Sequence, residues 1–347
     1  RAGSSVLLST TMRTAEDEPT RKAAYGGLRS IGPAVAEQFV KVVKMRNRLA
    51  KEIGYEDYYD YKVSQAEGFS KATLFGDFMG PLEERSRPLM QAARERLAAS
   101  KGGAALEAWN QSQALAGDVT RQQDPYFPFE GAISAWARSF AALGIQYRGA
   151  TMNLDLLDRE GKYSNGFCHW PQCAYVDTDG QFVPSQTNFT SLATPGAVGS
   201  GFTALTTLMH EGGHAAHFAN IVQASPFFSQ ERAPTSVAYA ETQSMFLDSV
   251  CDDAAWVARY ARDPEGRPMP WDLVEAGIRA KSPYKVLQLR AMLAVPFFEK
   301  VLYETPDADL TPESVQRLAD EVETRIQGGL GPRPLLSVPH LLSDEAS

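Results

Sequence analysis

The sequence predicts a mainly helical protein with one small antiparallel sheet. Three observations lead there. Apolar residues recur at helical spacing over most of the first 144 positions. After Gly144, short aromatic and β-branched runs alternate with Gly, Asn and Asp. From Phe202 onward the helical spacing returns. The 347 residues are 44% hydrophobic and 22% charged, enough to fill one large core or two smaller ones.

Between residues 16 and 53, Ala24, Leu28, Ile31, Val35, Phe39, Val42, Val43 and Leu49 keep a helical period, which Gly32-Pro33 divides in two. Gly54-Tyr55 ends it. Ser70 is placed to cap a helix over 71–99 that Gly80-Pro81 interrupts or kinks. A linker at 100–103 leads to a shorter helix over 106–116. Asp124-Pro125 opens another, with Ile133, Trp136, Phe140 and Leu143 apolar and Gly144 at its end. Strands are expected at 145–152, 166–168, 174–177 and 182–189, with a hairpin turn at Asp179-Gly180. Helices follow over 202–222, 234–261, 273–281, 283–303 and 312–326. A boundary at residue 144 then separates a helical wall, 1–144, from a region 145–347 that holds the sheet and the motif below.

A net charge of −8 without a basic cluster argues against nucleic acid and anionic membranes as partners, and no apolar run is long enough to span a bilayer. Cys168, Cys173 and Cys251 are an odd number with no C-x-x-C pair, so they form no disulfide framework and read as small buried thiols. That usage permits a reducing compartment, with the cytoplasm favoured. The chain opens on Arg1, not Met, so it reads as a fragment, and a removed signal peptide stays open.

The stretch TTLMHEGGHAAH, residues 206–217, holds His210, Glu211 and His214 as H-E-x-x-H. On a helix, i and i+4 share a face, so two imidazoles can hold one metal while Glu211 reaches a water beside it. A lone histidine on an apolar helix face is more often packed core than ligand. Here three of the five histidines, His210, His214 and His217, fall within eight positions. Imidazole and carboxylate donors with one open position describe catalytic zinc. Gly212 and Gly213, each unfavourable in a helix by about 1 kcal/mol against Ala, imply a close approach at that point. His217 extends the face and is expected to pack rather than to complete the ligand set.

A third ligand is needed. Downstream acids are Glu231, Glu241, Asp248, Asp252 and Asp253. Glu241 sits in the mostly apolar SVAYAETQSMFLD, and Asp248 follows two helical turns later on the same face. Glu241 is therefore assigned to the metal and Asp248 to the free ring N–H of a ligand histidine. Asp252 and Asp253 read as a solvated face.

With these residues in place the chain resembles the zinc oligopeptidases that include thimet oligopeptidase, peptidyl-dipeptidases and oligoendopeptidase F. That family carries H-E-x-x-H, a ligand Glu about 25 residues after the second His, and another acid seven residues further. Glu241 and Asp248 match that spacing, with Asp in place of the usual Glu. DPYFPFEGAISAWARSFAALGI is similar to the family's Y-F-P-L-E helix, NLDLLDREGKYSNGFC to its D-x-x-x-R-x-G-K segment and SQTNFT to its N-F-T strand. The resemblance implies a multi-helix peptidase fold with a deep substrate channel. It also implies one zinc ion, short peptide substrates, and backbone contacts to extended substrate from Gly166, Phe167 and Cys168. It places His340, in VPHLLSDEAS, as an oxyanion-stabilising residue. Asp344-Glu345 stand where the family commonly has Gly-Tyr, and the sequence ends before the family's tyrosine cluster. The expected activity is cleavage of internal bonds in short peptides, with Glu211 as general base and acid. The alternatives are a carboxypeptidase or dipeptidyl carboxypeptidase, and a zinc-containing peptide-binding module without hydrolysis, which an intact Glu211 disfavours.

Overall fold

The structure is a computed structural model that describes residues 4–228 and 236–343; Glu231, Asp344 and Glu345 lie outside them. The described chain is mainly helical, as its periodicity predicts. Two compact units divide it. One comprises residues 1–117 and 279–347, the other Asp118–Ile278. The chain therefore changes unit twice, where the sequence reading draws one boundary at residue 144. Gly144 marks a change of secondary structure and not of core. Ala132, Trp136 and Phe140, before it, pack in the same cluster as Phe189, Leu205 and Leu208, after it.

The first unit is all helix. It contains α1 (Ser5–Thr14), α2 (Glu18–Arg29), α3 (Ile31–Glu52), α4 (Tyr58–Glu67), the single turn α5 (Lys71–Thr73), α6 (Gly80–Lys101) and the start of α7 (Ala108–Gln123). Caps set several starts: Asp17, Asp57 and Ser70 side chains accept from Thr20, Asp60 and Thr73 N–H groups. The interruption expected at Gly80-Pro81 takes the form of a π-helical run, Leu74–Met79. Pro81 has no N–H to continue the ladder, and a Cβ at Gly80 would lie 2.6 Å from the Phe75 carbonyl oxygen. The chain returns to this unit within α12 (Trp271–Lys281) and adds α13 (Lys285–Glu304), α14 (Pro312–Gln327) and α15 (Pro339–Ser343). Its core joins Phe39 and Val43 of α3 to Leu293, Phe298 and Leu302 of α13 and Val315, Val322 and Ile326 of α14. Each such side chain contributes roughly 1.5–3 kcal/mol by burial.

The second unit places helices over two small sheets. Its elements are α8 (Ala132–Ala142), β1 (Thr151–Leu157), β2 (Phe167–Gln172), β3 (Ala174–Val176), β4 (Phe182–Val183), β5 (Gln186–Ala193), α9 (Ser200–Asn220), β6 (Val222–Gln223), α10 (Val237–Ser249) and α11 (Ala254–Tyr260). The expected single antiparallel sheet is corrected here. The described residues form two three-stranded sheets of mixed direction, ordered β1-β5-β2 and β4-β3-β6. β5 runs parallel to β1 and antiparallel to β2, and β6 runs parallel to β3. The chain between β1 and β5 is long enough to carry β2, β3 and β4 before β5 returns beside β1, which permits parallel pairing. β6 is two residues long, too short to show a period of its own. The hairpin at Asp179-Gly180 does form between β3 and β4, with Gly180 at φ 76° and Asp177 Oδ1 accepting from the Asp179 and Gln181 N–H groups. The helix expected over 234–261 breaks after Ser249 through a 3-10 turn, and Asp253 caps α11 by accepting from Trp256 N–H. No helix among the described residues is long and apolar enough to cross a membrane.

Candidate active site

The site is built on α9, and α9 is held by close backbone approaches. Its first turn follows Gly199, at φ 77°, whose N–H donates to Asp124 Oδ1 at 2.6 Å. The two glycines inside the motif explain themselves by what a Cβ would meet. At Gly212 it would sit 2.5 Å from Trp136 Nε1, and at Gly213 3.1 Å from Ser244 Cα on α10. Gly213 lies one residue before His214, so α10 can come against α9 beside the histidine pair. Glu241 is three residues before Ser244 and reaches that pair.

The approach brings together four of the expected residues. Glu241 Oε2 lies 3.4 Å from His210 Nε2, and Glu241 Oε1 lies 3.5 Å from His214 Nε2. The three ligand atoms offered by His210, His214 and Glu241 all fall within 4.8 Å of one another. Three atoms at tetrahedral positions around an ion, with bonds of about 2.0–2.1 Å, stand roughly 3.3–3.4 Å apart. The donor set therefore fits a divalent cation in chemistry, and its atoms lie close enough together to converge on one ion. Asp248 Oδ2 lies 2.9 Å from His210 Nδ1. An Nδ1–H donated to that carboxylate makes Nε2, on the Glu241 side, the nitrogen that a metal would take.

Electrostatics agree with a cation site. Burial works against a charged His210, but the Asp248 and Glu241 carboxylates outweigh it and raise its pKa to about 10 in the metal-free protein. Burial likewise works against the Glu241 charge, and the two imidazoles overcome it and hold that carboxyl well below the carboxylate range. His214 is buried, its ring stacked on Phe218 at 5.8 Å, with Nδ1 making no hydrogen bond. His217 is pushed toward the neutral form by burial and by His214.

Glu211 is also buried and faces the sheet. A Cβ at Gly166 would meet Glu211 Oε1 at 3.1 Å, Thr207 Cγ2 at 2.9 Å and Thr190 O at 3.2 Å. Only glycine fits there, so the strand that follows begins against the Glu211 carboxylate. Phe167 and Cys168 open β2, opposite Thr190 and Phe189 of β5. β2 is the edge of its sheet, with no strand beyond it among the described residues. His340 lies on α15 in the first unit, half-buried, and Asp253 is a helix cap.

Two site features escape the sequence reading. Ser244, fully buried, has Oγ 3.2 Å from Glu241 Oε2 and 3.0 Å from the Glu241 carbonyl oxygen. Its i+3 offset from Glu241 is a signal for a shared face. The Tyr147 hydroxyl donates to the Gly212 carbonyl at 2.8 Å across 65 residues of chain, and no local spacing announces that contact.

The sequence pattern that defines peptidase family M3 matches residues 11–335. No curated protein matches the chain. Among solved structures, PZ peptidase A, with an inhibitor, is similar over 99% of this chain and 59% of its own, at 15% identity and a TM-score of 0.61. Trypanosoma cruzi metallocarboxypeptidase 1 is similar over 94% of this chain and 62% of its own, at 14% identity and a TM-score of 0.50. The chain thus spans less than two thirds of either structure, and at these identities the likeness is one of fold.

Proposed function

The chain belongs to peptidase family M3, and from that premise we propose that it is a zinc-dependent peptidase cutting internal bonds of short peptides. The observation that carries the proposal is the convergence of His210, His214 and Glu241, whose ligand atoms lie within 4.8 Å of one another, with Glu211 on the same helix against the start of the edge strand β2. Bound there, zinc supplies Lewis acidity to a water and to the scissile carbonyl. The protein's own residues do the rest. His210 and His214 present Nε2, with Asp248 fixing the His210 tautomer. Glu211 accepts the proton of the attacking water and hands it to the departing amine. The β2 edge, beginning at Phe167 beside Glu211, is the strand against which an extended peptide would pair.

The test uses internally quenched peptides of graded length, with wild type compared with Glu211→Gln after zinc is measured in both. Zinc in both and turnover lowered about 10²–10⁴-fold in the variant is the expected result. Equal turnover in the two would contradict the role given to Glu211, and release of C-terminal residues alone would replace internal cleavage by a carboxypeptidase reading.

A further inference from the structure

Glu241 meets the histidine pair only because α10 lies where it does, and two of the contacts between α10 and α9 flank Glu241 along the helix. One is the contact of Ser244 with Gly213, C-terminal to Glu241. The other is N-terminal to Glu241, between Tyr239 and His217. The two rings are 5.5 Å apart with planes at 72°, an edge-to-face pair. On its other side His217 lies against Phe218, at 5.6 Å and 31°, and Phe218 is stacked on His214 at 5.8 Å and 9°. Both ring nitrogens of His217 are buried and make no hydrogen bond. With no polar contact to make, this imidazole acts as a ring.

Tyr239 occupies the first turn of α10, its N–H held by the Ser236 side chain at 3.1 Å. Tyr239 stands two residues before Glu241. A residue fixed on one side only, by Ser244, would let the start of α10 swing and carry the carboxylate off the histidines. Fixing the helix on both sides of Glu241 removes that freedom.

We propose that His217 is a positioning residue: its ring contact with Tyr239 anchors the start of α10 to α9 and so sets the Glu241 carboxylate against His210 and His214. The inference rests on those three residues being the metal ligands. It assigns His217 no bond to the metal and no part in proton transfer.

The experiment is an equilibrium zinc titration against a chromogenic chelator at 25 °C, with wild type, His217→Ala, His217→Phe, Tyr239→Ala, Tyr239→Phe and the double alanine variant. Thermal melts of the metal-free proteins run in parallel. His217→Ala and Tyr239→Ala each weaken zinc binding by about three- to tenfold, the worth of one edge-to-face ring pair. The two phenylalanine variants, which keep the rings, stay within about twofold of wild type, and the double alanine variant is no weaker than either single one. A role confined to packing would lower the metal-free melting temperature and leave the zinc affinity alone. That result overturns the proposal, as does His217→Phe binding as weakly as His217→Ala. A wild type that binds no zinc would overturn the ligand assignment itself, and this inference with it.

Discussion

Two clusters of charged side chains in this molecule share their chemistry and end in opposite states. In the all-helical unit, Arg290 is fully buried and each nitrogen of its guanidinium donates: to the Glu83 carboxylate, the Glu83 and Ile326 carbonyls and Ser86 Oγ. Arg87 adds a second cation to Glu83. In the other unit Glu241 meets His210, His214 and the Ser244 hydroxyl, and Asp248 meets His210, with 46% and 33% of the two carboxylate side chains exposed, and Glu211 is buried on the same helix as those histidines. The first cluster is complete and its removal should be felt as stability. The second gathers carboxylates around two imidazoles whose Nε2 atoms converge on Glu241, a donor set that suits a divalent cation. Charge of either kind at a helix surface says little until its partners are known.

The sharpest way to break this contrast is Glu83→Ala. It strands the Arg290 charge in the core, and such a loss costs about 3–5 kcal/mol. Denaturant unfolding should show that loss while a zinc titration shows an unchanged affinity; weakened zinc binding would mean the two clusters are not separate in function. A second contrast lies in Glu323, also fully buried in the helical unit, whose carboxylate accepts from the Gly331 and Leu335 N–H groups. Burial outweighs those bonds and raises its pKa from 4.5 to about 7. The folded state therefore holds a proton that the unfolded chain releases. Its contribution is fully present below about pH 4.5 and is lost as the pH rises through about 7, by up to about 3 kcal/mol. Stability measured across that window should fall in wild type and stay flatter in Glu323→Gln.

Smaller effects sharpen the metal side. Asp248→Asn keeps the size of the group and removes the charge that orients His210, so zinc affinity should drop about 10–100-fold, with little change in the metal-free melt. Gly213→Ala places a methyl 3.1 Å from Ser244 Cα. The helices must part by a few tenths of an ångström, and the predicted effect is about 1 kcal/mol in zinc binding, with Gly212→Ala acting instead through Trp136 and core packing.

Much of the site could be read in the sequence because it is helical. His210, Glu211 and His214 need only the period of one helix, and Asp248 was placed by its seven-residue offset from Glu241. The Gly212-Gly213 pair announced a close approach, and the structure supplies its partners, Trp136 and α10. The sheets were less legible. Alternation marks a strand but not its neighbour, so β5 pairing parallel with β1 across some 35 residues, Asn153 opposite Asn188, left no local trace. The same holds for the unit boundary. Gly144 changes the local pattern, while the core it belongs to is set by Trp136 and Phe140 packing on residues 50 to 70 positions later. Ser244 is a serine on an apolar helix, and only the structure shows its Oγ beside the Glu241 carboxylate.

The central claim is that His210, His214 and Glu241 hold one metal ion between them. An equilibrium zinc titration of wild type and Glu241→Ala, with metal-free melts as the folding control, tests it most directly. The account predicts one tightly bound equivalent in wild type and its loss in the variant, with both proteins folded alike without metal. Equal zinc affinity in the two folded proteins would contradict it.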